Sequence, residues 1–279
     1  MNITINGKPA DITLEAEKTV GEVLAGLDEW LNGSGHRLSG VTIDGETAGS
    51  GSLAEIFSRE LDRIGTLDIH TSPLLELMAE ALINLRRDIE EYEQAGFGEK
   101  KDFHKRWQES PEALFLSAQI PEIYEWADAS FAGEGAGPGE LLNLVEERLR
   151  ELQDPAGELN KAEPLIQAIV RRLEDLPLDI QTGKDGRAME TVRLFSNVAE
   201  KIFRLFNLMK AEGYGVASVT VENIPVSDYI DEFGTALKEL LAAYETKDAV
   251  LVGDLAEYEL APRFGNLYAA IKTPASAPA

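Results

Sequence analysis

Apolar and polar residues alternate in NITIN (2–6) and again in DITLE (11–15), on either side of the turn-prone NGKPA. A period of two turns one face of a strand to a core, so the pair predicts a β-hairpin whose loop is slightly longer than the tightest type. The period then changes. Val20, Val23, Leu24, Leu27, Trp30 and Leu31 recur at spacings of three and four behind Thr19, and Asn32-Gly33 ends the run. Thr19 suits the N-cap of such a helix, and its apolar stripe is expected to lie across a sheet. VTIDG (41–45) reads as a further strand, SLAEIFSREL (52–61) as a short helical turn, and TLDIHTS (66–72) as the last strand.

The order strand, strand, helix, strand, short helix, strand over residues 1–72 resembles the β-grasp, or ubiquitin-like, architecture. Sulfur-carrier members of that superfamily expose a C-terminal Gly-Gly. Here the last strand runs into Ser72-Pro73 with no diglycine. The resemblance therefore implies the other common use of the fold, a docking module that offers a sheet face or edge to a partner.

From Pro73 the pattern becomes that of long amphipathic helices. Leu74, Leu75, Met78, Leu82, Leu85, Ile89 and Tyr92 form one stripe, stopped around Gly96 to Gly98. Further helices are expected near 101–118, 121–131, 140–152, 162–180, 187–212, 227–245 and 249–272. AGEGAGPG (132–139) reads as a helix-to-helix loop. VASVTVENI (216–224) alternates like a strand but finds no partner in the pattern, so an extended connector is expected. The fold class is α+β: a β-grasp-like domain over 1–72, a helical domain over 73–272, and TPASAPA (273–279) as a disordered tail.

Within the helical part, an offset of 64 lays Leu165, Ile166, Ile169, Leu173, Leu176 and Ile180 over Tyr229, Ile230, Phe233, Leu237, Leu240 and Tyr244, and Thr182 over Thr246. After one skipped residue, an offset of 63 pairs Lys184-Asp185 with Lys247-Asp248. The match ends after Val198, where Ile202 meets Gly265. This reads as an αα-hairpin repeated over 162–210 and 227–272. Pro262 is expected to kink the last helix.

Composition narrows function mainly by exclusion. There are 50 acidic and 26 basic side chains, a formal net charge of −24, which repels nucleic-acid phosphates and anionic lipid. No cysteine is present, so thiol nucleophiles, zinc-thiolate sites and disulfides are out. The N-terminus has no basic and apolar leader pattern, and cytoplasmic is the expected location. A P-loop needs glycine five residues before its Gly-Lys and a hydroxyl after it, but Gly183-Lys184 has Leu178 and Asp185 there. Asp185 is instead expected to cap the helix that follows. His36, His70 and His104 lack metal-ligand spacing, and no EF-hand loop occurs among the carboxylates. No catalytic, cofactor-binding or metal-binding residue is predicted.

The densest aromatics, Phe103, Trp107, Phe115, Tyr124, Trp126 and Phe131, flank prolines and the glycine-rich loop. Trp107, Phe115, Tyr124 and Trp126 are the candidate partner-binding residues, since hot spots concentrate on such side chains. The reading is a non-enzymatic adaptor or assembly protein with a protein partner, a basic one suiting its charge. The alternatives are a metal-independent enzyme or small-molecule binder with an interdomain pocket, and an export or assembly chaperone whose groove takes a partner helix. The oligomeric state is not specified by the sequence.

Overall fold

The computed structural model describes all residues except 11–13, 15, 32, 48–52 and 276–279. The chain forms two compact units, Met1–Leu149 and Arg150–Ala279. It is α+β, a small N-terminal sheet followed by helices.

In the first unit β1 (Asn2–Ile5) pairs with β2 (Lys8–Pro9) through Thr4–Pro9 and Ile5–Lys8. The turn is tighter than expected. Asn6 and Gly7 both have positive φ, 50° and 72°, the two-residue turn whose twist matches that of the strands. The expected strand over 11–15 falls mostly on residues outside the described set. Helix α1 (Val20–Leu31) opens on a capping box: the Glu22 N–H donates to Thr19 Oγ1 at 3.3 Å, and the Thr19 N–H donates to the Glu22 carboxylate at 3.1 Å. The Lys18 N–H, which also donates to this carboxylate, and then the Thr19 N–H hold the Glu22 carboxyl below its ordinary pKa.

Strand β3 (His36–Ile43), β4 (Glu46–Thr47), α2 (Leu53–Phe57), a 3₁₀ turn (Leu61–Arg63) and β5 (Thr66–Pro73) complete the sheet unit. The sheet order is β2-β1-β5-β3-β4, with β1 parallel to β5 and the other pairs antiparallel, a small mixed sheet of five strands. Val20, Val23, Leu24, Leu27 and Leu31 of α1 share one core with Ile3, Val41, Ile43, Leu67 and Ile69 of the sheet. Trp30 does not join the stripe assigned to it; it is 71% exposed.

Helices α3 (Leu74–Gln94), α4 (Phe97–Gln108), α5 (Pro111–Gln119), α6 (Pro121–Ala132) and α7 (Pro138–Gln153) follow. The helix expected over 101–118 is two helices. Ser110 Oγ accepts the Ala113 N–H at 3.1 Å and Pro111 occupies the first turn of α5, so the chain restarts there. Residues 133–137 connect α6 to α7, with Gly133 ending α6 in the left-handed region.

The second unit holds α8 (Pro155–Lys161), α9 (Glu163–Glu174), α10 (Leu176–Gln181), α11 (Asp185–Ala211), a 3₁₀ turn (Gly215–Ser218), β6 (Thr220–Val221), β7 (Ile224–Pro225), α12 (Val226–Glu245), α13 (Ala249–Asp254), a π-helical turn (Leu255–Leu260) and α14 (Ala261–Ala275). Helix α8, capped by Asp154, has no counterpart in the sequence reading. The helix expected over 162–180 breaks at Asp175, just before Pro177. The expected connector at 216–224 contains its own partner: β6 and β7 form a hairpin about Glu222 and Asn223, both at positive φ. The last helix runs to Ala275, so Thr273, Pro274 and Ala275 are helical rather than tail. Phe195, Phe233 and Phe264 meet at the core, ring centroids 5.3–5.8 Å apart.

The repeated corner is visible in the backbone. Thr182 Oγ1 donates to Leu178 O and Asp179 O, and Thr246 Oγ1 donates to Ala242 O and Ala243 O. The Lys184 N–H reaches Asp179 O at 2.8 Å, and the Asp248 N–H reaches Ala243 O at 2.9 Å. The left-handed position is Gly183 in one copy, φ 71°, and Lys247 in the other, φ 58°. These pairs keep the offset of 64 through Lys184 and Asp248, so the skip to 63 is not made here. The caps differ too. Asp248 accepts the Leu251 N–H at 3.1 Å, whereas Asp185 is already inside α11 behind Lys184 and caps nothing, contrary to expectation.

Candidate docking surfaces

At one end of the second unit the two corners stand side by side. Helices α10 and α13 approach closely, with Gly253 facing Pro177: a Cβ at 253 would lie 3.2 Å from Pro177 Cβ. Around this contact the surface is apolar. Val250 is 74% exposed, Met189 58% and Leu178 57%, and Leu251 is exposed as well. A cavity of about 390 Å³ opens among Ile180, Ala188, Met189, Tyr244 and Val252. Asp185 and Lys247 also line it. Among the described residues neither makes an ion pair or side-chain hydrogen bond. The other cations of the first corner are occupied: Lys184 Nζ and Arg187 Nε lie 3.4 and 3.0 Å from the two oxygens of buried Asp179.

A second feature of this unit is an open groove of about 840 Å³ between α9 and α14. Its walls include Ile166 and Val170 on α9, and Gly265, Tyr268 and Ala269 on α14. Gly265 and Ala269 are one turn apart, so small residues form a strip of floor. Nothing lies within 4 Å of where a Cβ at Gly265 would stand. At one end Lys272 Nζ pairs with Glu163 at 2.8 Å and lies 5.7 Å from the Tyr268 ring centre. At the other, Arg171 and Glu174 line the groove with no ion pair among the described residues.

The aromatic candidates divide between core and surface. Trp107 is buried, stacked on half-buried Tyr124 at 5.4 Å and edge-on to Phe131 at 5.0 Å, and among the described residues its indole Nε1 has no hydrogen-bond partner. Phe103 and Phe131 belong to the same ring cluster. Phe115 is half-buried and Trp126 exposed. Four side chains proposed as one surface are therefore spread between core and solvent. Trp30 and the corner residues Met189, Lys247 and Val250, all exposed, lie outside that candidate set. Lys247 standing where the first copy has glycine was the available signal.

Beside the ring cluster, His104 Nε2 and Gln108 Nε2 each approach Asp128 Oδ1 at 2.7 Å. On the sheet, His70 Nε2 meets Thr42 Oγ1 at 2.9 Å, and Asp68 accepts from Thr4 Oγ1 and the Gly7 N–H, bonds that hold its carboxyl below the ordinary range. These side chains are tied to neighbours in the fold. Asp88 on α3 differs: half-burial, reinforced by the nearby charges of Glu112 and Glu91 and opposed by Arg87, pushes its carboxyl to about 6. Buried Glu151 sits 3.4 Å from Lys201 Nζ and 3.3 Å from Arg204 Nε, a compensated charge. Among the described residues no group of three or more His, Asp or Glu could hold a metal, and no helix is long and apolar enough to cross a membrane.

Similarity to known proteins covers both units. Residues 1–73 match the family described as the TP0873 N-terminal domain, and residues 157–270 match a domain of unknown function, DUF8042. No solved structure matches the chain. An uncharacterized protein of Treponema pallidum (strain Nichols) is 23% identical over 262 residues, covering 94% of this chain and 92% of the relative, so the likeness extends over both units.

Proposed function

We propose that the protein is a non-enzymatic adaptor that binds an amphipathic helix of another protein in the groove between α9 and α14. The observation that carries this reading is the groove itself: open, with Gly265 and Ala269 as small lining residues and Ile166, Val170 and Tyr268 supplying apolar wall. An amphipathic helix presents a matching apolar stripe and needs a small-residue floor to approach closely. Arg171 and Glu174 would select a partner helix carrying an acidic and a basic residue at that end. An assembly chaperone is the form of this function in which the bound helix awaits its final place. The β-grasp unit offers a second handle in exposed Trp30. Residues 1–149 carry 29 acidic against 12 basic side chains, which favours a basic surface on whatever docks there.

Gly265→Leu tests the groove without weakening the fold. The side chain enters open space, and replacing glycine inside a helix adds about 1 kcal/mol of stability. In quantitative cross-linking and pull-down from the native host, partners captured by the wild type should be lost from Gly265→Leu, while its melting temperature holds or rises. A full partner set on a stable Gly265→Leu protein refutes the groove as the docking site.

A further inference from the structure

We propose that the paired-corner end of the second unit is a self-association surface, on which a second copy of this chain docks about a two-fold axis. In a two-fold contact, whatever residue i meets on its partner, the partner's residue i meets on it, so the surface must be complementary to itself. This one is. Its apolar part, Leu178, Met189, Val250 and Leu251, can face its own copy directly. Its cavity has one cation and one anion on the wall, Lys247 and Asp185, both without an ion pair or side-chain hydrogen bond among the described residues. Placed face to face, Asp185 of each copy meets Lys247 of the other.

The internal repeat sharpens the point. At the offset of 64, Lys247 stands where the first corner has Gly183, and Asp185 where the second has Ala249. Most cavity positions are apolar in both copies, Ile180 with Tyr244 and Ala188 with Val252. The repeats thus depart from each other in charge at two positions on the cavity rim, with opposite signs. Lysine holds its place at a left-handed φ of 58°, a backbone region that disfavours side chains. Of the other charges here, Lys184 and Arg187 are turned to Asp179 and Asp248 caps α13; Glu245 is exposed but does not line the cavity. A dimer would make the adaptor bivalent, doubling the groove and raising avidity for a clustered partner.

Sedimentation velocity of the full chain, from low to high micromolar concentration at physiological salt, tests this. The wild type should be a dimer and Met189→Glu a monomer. Asp185→Lys alone and Lys247→Asp alone each place like charges opposite one another and should raise the dimer dissociation constant roughly tenfold or more. Mixing these two variants restores both opposite-charge pairs, so a heterodimer should form. Thermal melts at low concentration check that every variant is folded. A monomeric wild type across the range, a dimeric Met189→Glu, or a mixture of the charge variants that stays monomeric overturns the proposal. The groove is tested separately, since Gly265 is outside this surface.

Discussion

Exchanging the residues at the two left-handed corner positions gives a prediction whose size follows from the backbone alone. A side chain at such φ costs about 1–2 kcal/mol relative to glycine, while glycine gives back about 0.5–1 kcal/mol through its freedom in the unfolded chain. The net is about 1 kcal/mol in each direction. Gly183→Lys should therefore destabilise by about 1 kcal/mol, with no steric addition, because a Cβ at 183 meets nothing within 4 Å. Lys247→Gly should stabilise by a similar amount, and the double exchange should return near the wild-type value. Urea unfolding followed by helical circular dichroism is the suitable assay. Trp30, Trp107 and Trp126 all lie in Met1–Leu149, so tryptophan fluorescence would not report the second unit directly. Measurements belong at low protein concentration, where association of the corners does not add to stability. A Lys247→Gly protein less stable than wild type would refute the argument, because the lysine side chain would then hold the corner by contacts outweighing its backbone strain.

Gly253→Ala should cost about 1–3 kcal/mol, since its methyl would press on the rigid Pro177 ring at 3.2–3.3 Å, and an unchanged melt would show that α10 and α13 can separate freely. Asp88→Asn tests the raised carboxyl. With a folded pKa of about 6 against an ordinary 3.8, the protonated form favours folding, a contribution complete below about pH 4 and lost as pH rises through 6. At full weight that shift is about 3 kcal/mol, and screening at a half-exposed side chain brings it to about 1 kcal/mol. The asparagine variant should thus gain about 1 kcal/mol at pH 7 and nothing at pH 4; equal gains at both would assign the effect elsewhere.

The N-terminal sheet and its helix were legible because their two periods are clean. Alternation put Ile3, Val41, Ile43, Leu67 and Ile69 on one sheet face, and the α1 stripe supplied the opposing layer. Trp30 was misplaced because it falls at the margin of that stripe, beyond Val23, where large and apolar no longer means buried. The four aromatic candidates divide between core and surface for a related reason: residue type marks Trp107 and Trp126 alike, and only packing distinguishes a core indole from an exposed one. Helix breaks at Ser110 and Asp175 carried signals, a proline at or just beyond each, that apolar periodicity overrode.

The repeat shows what pattern matching misses in physical terms. Matching Lys-Asp to Lys-Asp by residue type forced a skip to 63, and the alignment then died at Ile202. In the structure the offset stays at 64 through the corner and the first helical turns, pairing buried Ala188 with Val252, Thr191 with Leu255 and Val192 with Ala256. One residue is then inserted by the π-helical turn at Leu255–Leu260, where the Ala261 N–H reaches back to Ala256 O. Beyond it the offset is 65, and buried positions agree again: Phe195 with Leu260, Ala199 with Phe264, Ile202 with Leu267, Phe206 with Ile271. The visible trace of that insertion is Pro262. Lacking an N–H and crowding the carbonyl one turn before it, proline makes a regular α-turn there costly. The expected kink is thus answered by a wider turn, which adds the residue that puts the second copy's apolar stripe back in register with the first.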